Sequence, residues 1–358
     1  MKILHCSDLH IDSKMHTNLS SDKARIRKME LVLTFEKMVK YASDEDVDVI
    51  IIAGDMFDTA RVNSKTKNRI FDIIKSNYSI DFIYLAGNHD EENIISEMEE
   101  PYPNLKILKN EWLSFNYGNV VISGAILDAK NKNLYDTLKL NKETFNIVVL
   151  HGQISKYDSK DNAEIVNLSK LKNKNIDYLA LGHIHHYETG KLDDRGIYCY
   201  AGCLEGRGFD ECGEKGFVVI DINDKTMDHK FIPFAKRKLH EISFDISNKE
   251  NWFDIEREIL EKISSIPEED LLKIVLQGKY CLSLNKQIEH LESKLNDEFF
   301  FVKIKDESTL QINAKDFEKD LSLRGEFIRE ILKSDLTSDE KEKAILVGLK
   351  ALSGEDLK

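Results

Sequence analysis

Aspartate, asparagine and histidine side chains stand in five short clusters along the chain, and each cluster directly follows a short apolar run. The clusters are Asp8-Leu9-His10, Gly54-Asp55-Met56-Phe57-Asp58, Gly87-Asn88-His89-Asp90, His151-Gly152 and Gly182-His183-Ile184-His185. Carboxylate, amide and imidazole ligands without thiolate suit Mn²⁺, Fe²⁺ or Zn²⁺ and argue against a purely structural zinc site. The sequence therefore predicts a catalytic site with two metal ions.

The candidate metal ligands share the ability to donate an oxygen or nitrogen lone pair, and they are Asp8, His10, Asp55, Asn88, His151, His183 and His185. Asp8 and His10 are two residues apart, so at the end of an extended segment both side chains can point to one side and bind one ion. Asp55 offers two carboxylate oxygens and can bridge two cations. Two cations ~3.5–4 Å apart can activate a hydroxide and stabilise the phosphorus and its leaving oxygen. The predicted chemistry is hydrolysis of a phosphate ester.

The elements that position these side chains are predicted strands at residues 1–4, 47–53, 81–86, 145–150 and 177–182. Each strand would deliver ligands from its carboxyl end, where open α/β sheets place their binding crevice. The strands alternate with amphipathic helices such as residues 21–41, which is the pattern of a layered α/β domain. Glycines 54, 87 and 182 are interpreted as turn residues that let the ligand side chains reach the crevice.

The pattern changes after about residue 195, where residues 197–200 and 217–220 read as the strands of a closing hairpin. A basic segment at residues 236–238 follows Pro233 and marks a linker. Strands and helices then alternate up to about residue 315, and two short amphipathic helices follow. The predicted domains are a catalytic core at 1–235, a small α/β capping domain at 236–315 and a helical segment at 316–358.

The composition limits the function classes. The 358 residues carry a net charge of −13, which argues mildly against a dedicated nucleic-acid binder. The basic segment 61–69 is either a phosphate-contacting patch or an ordinary solvated helix start. Five cysteines in irregular spacing predict reduced thiols and no disulfide framework. The absence of an apolar run of ~20 residues and the strand-like first residues predict a cytoplasmic protein without a membrane span.

The five ordered clusters resemble the motifs of the calcineurin-like metallophosphoesterases. Within that family the chain resembles the SbcD-type DNA repair exonucleases, because residues 200–217 are similar to the segment that closes their nuclease domain. This resemblance implies an α/β fold with a four-layer αββα sandwich, a small capping domain and C-terminal helices.

The resemblance also implies individual roles. Asp8, His10, Asp55 and His185 would hold the first metal, and Asp55, Asn88, His151 and His183 would hold the second. His89 would protonate or stabilise the leaving oxygen. Asp58 would orient the His89 imidazole, and Asp90 would cap the following helix.

The function implied by the resemblance is that of an Mn²⁺-dependent exonuclease and endonuclease acting at DNA ends in repair. The implied partner is an SMC-like ATPase of the SbcC type. The resemblance is also compatible with a homodimer. The helices at 316–358 either dock that partner or only cover the capping domain. The first alternative is a dinuclear-metal phosphodiesterase for small nucleotides or other phosphoesters. The second is a scaffold that keeps the fold without catalysis.

Overall fold

The computed structural model describes residues 1–15, 19–58, 62–87, 102–127, 134–155, 165–224, 226–282, 284–311, 317 and 320–353. The chain forms two compact units, Met1–Leu239 and His240–Lys358. The candidate residues Asn88, His89 and Asp90 lie outside the described residues.

The first unit contains a mixed sheet of six strands. They are β1 (Lys2–Cys6), β2 (Val49–Ala53), β3 (Asp81–Leu85), β4 (Leu105–Ile107), β13 (Gly216–Asn223) and β14 (Thr226–Pro233), in the order β14-β13-β1-β2-β3-β4. Neighbours from β1 to β4 are parallel, whereas β13 is antiparallel to both β1 and β14. The carboxyl ends of β1, β2 and β3 therefore meet at one edge.

A second six-stranded sheet belongs to the same unit. It consists of β5 (Leu113–Tyr117), β6 (Val120–Gly124), β7 (Phe145–His151), β10 (Tyr178–Gly182), β11 (Glu188–Lys191) and β12 (Ile197–Tyr200), in the order β11-β12-β10-β7-β6-β5. The four central strands of this sheet, β6, β7, β10 and β12, run parallel to one another. Two short strands, β8 (Gln153–Ser155) and β9 (Ile165–Asn167), pair separately.

Helices cover the outer faces of the two sheets. The first sheet packs on α1 (Ser21–Asp44) and α2 (Ser64–Ser76), and the second on loops and the short helices α3 (Leu134–Thr137) and α4 (Leu168–Leu171). Strand β2 is buried on both faces. Ile50 and Ile52 face the helices, whereas Val49, Ile51 and Ala53 face the second sheet, because successive strand side chains point to opposite sides. The predicted layered α/β sandwich is confirmed.

The expected closing hairpin is wrong. Strand β12 pairs with β10 and β11 in the second sheet, whereas β13 pairs with β1 and β14 in the first. The connection between them, residues 201–215, crosses from one sheet to the other. It is far longer than the two to five residues of a hairpin loop, and it carries the buried charged side chains of Glu205, Arg207, Glu211 and Lys215.

The second unit alternates strands and helices. Its elements are β15 (Leu239–Asp245), α5 (Trp252–Ile263), β16 (Leu271–Gln277), β17 (Lys279–Cys281), α6 (Ile288–Glu298), β18 (Phe301–Asp306), β19 (Thr309–Gln311), α7 (Leu323–Lys333) and α8 (Ser338–Ser353). Ile259 of α5 and Leu295 of α6 pack on the sheet β15-β16-β18. Ile328 of α7 and Ile345 of α8 form a smaller cluster with Leu310.

The two terminal helices thus share a compact unit with residues 240–311, and the division of the chain into three functional parts stays a prediction. Among the described helices, none combines the length and apolarity needed to cross a membrane.

Candidate metal centre

Four of the predicted clusters meet where the two sheets of the first unit face each other. Asp8 and Asp55 follow β1 and β2 of the first sheet, while His151 ends β7 and His183 follows β10 of the second. The loops are hydrogen-bonded to each other, since the Asp8 amide donates to the Gly54 carbonyl at 3.1 Å and the His10 amide donates to the Asp55 carbonyl at 2.9 Å. The sheet geometry therefore places these side chains together, as the sequence predicted.

The backbone at these positions is strained. Asp8, His10, Asp55 and His183 have φ values of 51°, 43°, 49° and 100°. A non-glycine residue in this left-handed region costs on the order of 1–3 kcal/mol, and such residues concentrate at functional sites. The surrounding strands and inter-loop hydrogen bonds hold the four residues in a conformation that turns their side chains toward one another.

The cluster glycines have two different roles. Gly54 has a φ of 98°, so this residue is a turn glycine as expected. Gly87 and Gly182 do not have positive φ values, and what they provide is space. A Cβ atom on Gly87 would lie 2.1 Å from Oδ1 of Asp55, so any side chain there would displace that carboxylate.

Two groups of three side chains have the spacing of metal ligands. Asp8, His10 and His185 form one group, and Asp8, Asp55 and His151 form the other, each with one ligand atom per residue within 4.8 Å of the others. Within the described residues, neither group includes His183, whose ring makes an edge contact with His151 at a centroid distance of 5.4 Å. His183 thus lies beside the second group.

Two carboxylates lie between the groups. Oδ2 of Asp55 is 3.8 Å from Nε2 of His10 and 3.4 Å from Nε2 of His151. Asp8 accepts the His183 amide at 2.9 Å and 3.1 Å on its two oxygens, and the Ser7 hydroxyl at 2.6 Å. These bonds orient Asp8, which belongs to both groups, and Asp55, a member of the second group, also reaches His10 of the first.

The outer ring nitrogens of three histidines are held by acceptors. Nδ1 of His10 is 3.0 Å from Asp58, Nδ1 of His185 is 2.7 Å from Glu211, and Nδ1 of His151 is 2.9 Å from the Ala53 carbonyl. An Nδ1–H donor on each ring leaves an Nε2 lone pair directed inward. The two Nε2 atoms of His10 and His185 are 3.2 Å apart. Lone pairs at that distance repel unless a cation lies with them, so this donor set fits a metal ion.

The electrostatics of the site agree with this fit. Burial alone would lower the pKa of His151, but Asp55 and Asp8 outweigh burial and raise the pKa to about 9. Burial also opposes protonation of His185, yet its hydrogen bond to Glu211 raises its pKa above the ordinary value. The same carboxylates that favour a proton on these rings favour a divalent cation, so a bound metal would displace protons.

Asp58 makes contacts that the sequence did not predict. Its carboxylate lies against His10 and accepts a hydrogen bond from Nη1 of Arg207 at 2.9 Å. Although burial would raise the pKa of Asp58, these partners and Ser13 hold the pKa below its ordinary value. The predicted contact with His89 is outside the described residues.

Sequence reasoning missed Arg207 and Glu211 as parts of the site. Burial would raise the pKa of the Glu211 carboxyl, but His185 and Arg207 hold it far below the usual range. The signal that could have found them is an arginine and a glutamate four residues apart inside residues 200–217, the segment that the resemblance had already singled out.

The sequence of the chain is similar to those of known phosphoesterases. The profile of the calcineurin-like phosphoesterase family matches residues 1–187. The DNA double-strand break repair protein Mre11 of Saccharolobus solfataricus is 26% identical and aligns with 100% of this chain and 96% of its own length. The uncharacterized metallophosphoesterase YhaO of Bacillus subtilis is 23% identical, with 94% of this chain and 88% of its own length aligned. Among solved structures, a dimetal phosphatase from Danio rerio is 12% identical with a TM-score of 0.42, and it covers 64% of this chain and 95% of its own.

Proposed function

Since the chain belongs to the calcineurin-like phosphoesterase family and is therefore a phosphoester hydrolase, we propose that it is a metal-dependent DNA nuclease. It would hydrolyse phosphodiester bonds at DNA ends in repair, both as an exonuclease and as an endonuclease. The observation that carries the chemical part of this proposal is that Asp8 and Asp55 each lie within reach of histidines of both groups of candidate ligands. The DNA part is supported by the full-length alignment with Mre11 proteins of archaea.

The proposed ligand sets are those that the family resemblance implies. Asp8, His10, Asp55 and His185 hold one ion, and Asp55 with His151, His183 and Asn88 holds the other. Mn²⁺ is the proposed metal, as the resemblance to the SbcD-type nucleases implies, and the oxygen and nitrogen donors without thiolate suit Fe²⁺ and Zn²⁺ as well. The pair of ions supplies Lewis-acid stabilisation of the phosphoryl oxygens and lowers the pKa of the attacking water.

His89 is the proposed acid for the leaving group. It stands directly after Asn88 in the third cluster, and an imidazole near the scissile bond can protonate or stabilise the departing sugar oxygen.

A basic cavity beside the site favours a polymeric substrate over a small one. The cavity has a volume of about 320 Å³, and its charged lining residues are the cations Arg25, Lys28, Lys65 and Arg69 and one carboxylate, Asp12. It is linked to the ligand loops because the Asn63 amide donates to Asp12, two residues after His10, at 2.9 Å. On a chain with a net charge of −13, such a local concentration of positive charge suits the phosphates that flank a scissile bond in DNA.

An ATPase of the SMC type is the proposed partner. Apolar side chains around α7 and α8 are exposed, and the most exposed are Leu321 at 96% and Leu323 at 67%. Leu321 lies just before α7 and Leu323 begins it, and exposed apolar residues that lie together are typical of interaction surfaces. A homodimer and a cytoplasmic location complete the proposal. Leu321→Glu combined with Leu323→Glu should abolish co-purification of the chain with the ATPase, identified by mass spectrometry, while hydrolysis of a small ester is unchanged. Undiminished co-purification would contradict docking at these leucines.

The alternative function is hydrolysis of small nucleotides or other phosphoesters at the same metal site. It is favoured by the acidic composition. The discriminating experiment compares linear duplex DNA with bis(p-nitrophenyl) phosphate in Mn²⁺, with and without the ATPase partner. Turnover of both substrates supports the nuclease. Turnover of the ester alone, under all conditions, would replace the nuclease by a small-molecule phosphodiesterase.

A further inference from the structure

The guanidinium of Arg207 lies between two carboxylates, and each carboxylate holds a different candidate ligand histidine. Nη1 donates to Asp58 at 2.9 Å, and Nη2 donates to Glu211 at 2.8 Å. Asp58 contacts Nδ1 of His10, and Glu211 contacts Nδ1 of His185. The five residues thus form one continuous chain from one imidazole to the other.

We propose that Arg207 is a positioning residue that fixes His10 and His185 as a pair of ligands for one metal ion. A single planar group with donors on two sides sets the separation of Asp58 and Glu211. Each carboxylate then fixes the ring orientation and the tautomer of its histidine. The inference rests on the two-metal part of the proposed function and is independent of whether the substrate is DNA.

Arg207 acts through its neighbours and does not bind substrate. All three guanidinium nitrogens have partners within the site, because Nε also donates to Glu211 at 3.2 Å and Nη1 reaches the Ser13 hydroxyl at 3.5 Å. The residue is 8% exposed. Binding a phosphate would require it to leave Asp58 or Glu211, and that carboxylate, buried or partly buried, would then lose its cation.

The segment that carries Arg207 also holds the main chain of His185. The carbonyl of His185 accepts a hydrogen bond from Nζ of Lys215 at 2.7 Å and one from the Cys203 amide at 3.4 Å. The Arg207 amide donates to Oε2 of Glu211 at 2.7 Å, which fixes the carboxylate from a second direction. His185 is therefore held at its ring and at its backbone by residues 203–215.

The second group of ligands has a different support. Nδ1 of His151 faces the carbonyl of Ala53 at 2.9 Å, and this acceptor belongs to strand β2 instead of to a side-chain network. None of the described hydrogen bonds of Arg207 reaches His151 or Asp55. The effect of Arg207 should therefore fall on one of the two metal sites.

The test is calorimetric titration of the full-length, metal-free protein with Mn²⁺. We expect two binding events in the wild type. In Arg207→Met one event should weaken by roughly 10–100-fold, which is the usual effect of losing an outer partner of a metal ligand, while the other is retained. The matched control is Arg237→Met, because Arg237 is a largely buried arginine of the same unit that pairs with Glu30 at 2.9 Å, away from the ligands. Both events should remain in the control.

A second variant keeps the inference testable if Arg207→Met does not fold. Arg207→Lys keeps the charge but cannot contact both carboxylates with a planar fork, and it should also weaken one binding event. Electron paramagnetic resonance at two equivalents of Mn²⁺ should show a coupled pair in the wild type and mainly isolated Mn²⁺ in both variants.

The outcomes separate two failures. Wild-type affinity at both sites in the folded Arg207 variants would overturn the positioning role and leave the proposed function intact. Absence of two binding events in the wild type would overturn the two-metal function itself.

Discussion

Gly182 lies directly against the imidazole of His151. A Cβ atom on Gly182 would be 2.8 Å from Nδ1 of His151 and 1.8 Å from the carbonyl oxygen of Ala53. That carbonyl is the acceptor that orients the His151 ring, at 2.9 Å. The absence of a side chain at residue 182 therefore leaves room for the hydrogen bond that directs Nε2 of His151 toward Asp55.

Replacement of Gly182 by alanine should impair metal binding at the second ligand group. The added Cβ must push the Ala53 carbonyl or the His151 ring aside, and overpacking of this kind costs about 1–3 kcal/mol of stability. The measurement is Mn²⁺ affinity by calorimetry together with urea unfolding.

Gly196→Ala is the matched control for Gly182→Ala. Its Cβ would lie 2.1 Å from the carbonyl of Ile176, an equivalent collision away from the ligands. Both variants should lose stability, but only Gly182→Ala should lose Mn²⁺ affinity. Equal Mn²⁺ binding in the two variants would contradict the role assigned to Gly182.

His89→Ala should reduce hydrolysis of linear duplex DNA, whose leaving sugar oxygen needs a proton, while both metal ions remain bound. The expected loss in kcat is about 10²–10⁴-fold, the usual contribution of a general acid. His186→Ala is the control, because His186 is exposed and is paired only with Glu188 among the described contacts. Unchanged turnover in His89→Ala would rule out the proposed role of His89.

Charge reversal in the basic cavity should separate DNA binding from the chemical step. Lys28→Glu combined with Lys65→Glu should weaken DNA binding and should reduce the slope of log affinity against log salt by about one for each DNA phosphate that is no longer neutralised. Hydrolysis of the small ester should not change, because neither lysine belongs to the ligand groups.

The exposed Lys142 provides the control for the cavity variants, and Lys142→Glu should leave the salt dependence unaltered. Equal DNA affinity in the cavity variants and the wild type would mean that DNA does not pass over this cavity.

His5 should make the protein less stable as the pH falls. This residue is fully buried, and its Nδ1 lies 2.9 Å from the Tyr178 hydroxyl. Burial lowers the pKa of His5 from 6.5 to about 3, although a hydrogen bond with the Leu181 backbone acts in the opposite direction. Between pH 6.5 and about pH 3, His5 binds a proton in the unfolded chain but not in the folded chain. The free energy of unfolding should therefore decrease by up to about 1.4 kcal/mol per pH unit from this residue.

The measurement for His5 is urea unfolding between pH 7 and pH 4 for the wild type and His5→Gln. Carboxylates elsewhere contribute to both curves and cancel in the difference, and Tyr178 stays neutral because burial raises its pKa. The variant should be less stable at pH 7 and have a shallower pH dependence. Parallel curves would show that His5 is not the group responsible.

The fold and the convergence of ligands could be predicted because their signals are local. Each strand is a short apolar run, and each cluster follows it directly, so the edge of the sheets brings Asp8, Asp55, His151 and His183 together. The hairpin prediction failed because sheet membership depends on long-range pairing. Strand β13 pairs with β1, more than two hundred residues earlier in the chain, and no local pattern specifies that partner.

The outer contacts of the site were less predictable for the same reason. Arg207 contacts Asp58, which is 149 positions earlier in the sequence. The sequence alone does not show which carboxylate an arginine contacts at such a separation. The orientation of Asp58 toward His10 likewise depends on the path of residues 201–215. The glycine interpretation was correct for Gly54 but not for Gly182, since a requirement for space is invisible until the packed neighbour is known.

The most direct test of the two-metal account is a crystal structure of the full chain grown with Mn²⁺, with anomalous diffraction recorded at the manganese edge. The account predicts two anomalous peaks about 3.5–4 Å apart, with one carboxylate oxygen of Asp55 near each ion or one oxygen between them. A single peak, or two peaks with Asp55 in contact with neither, would contradict it.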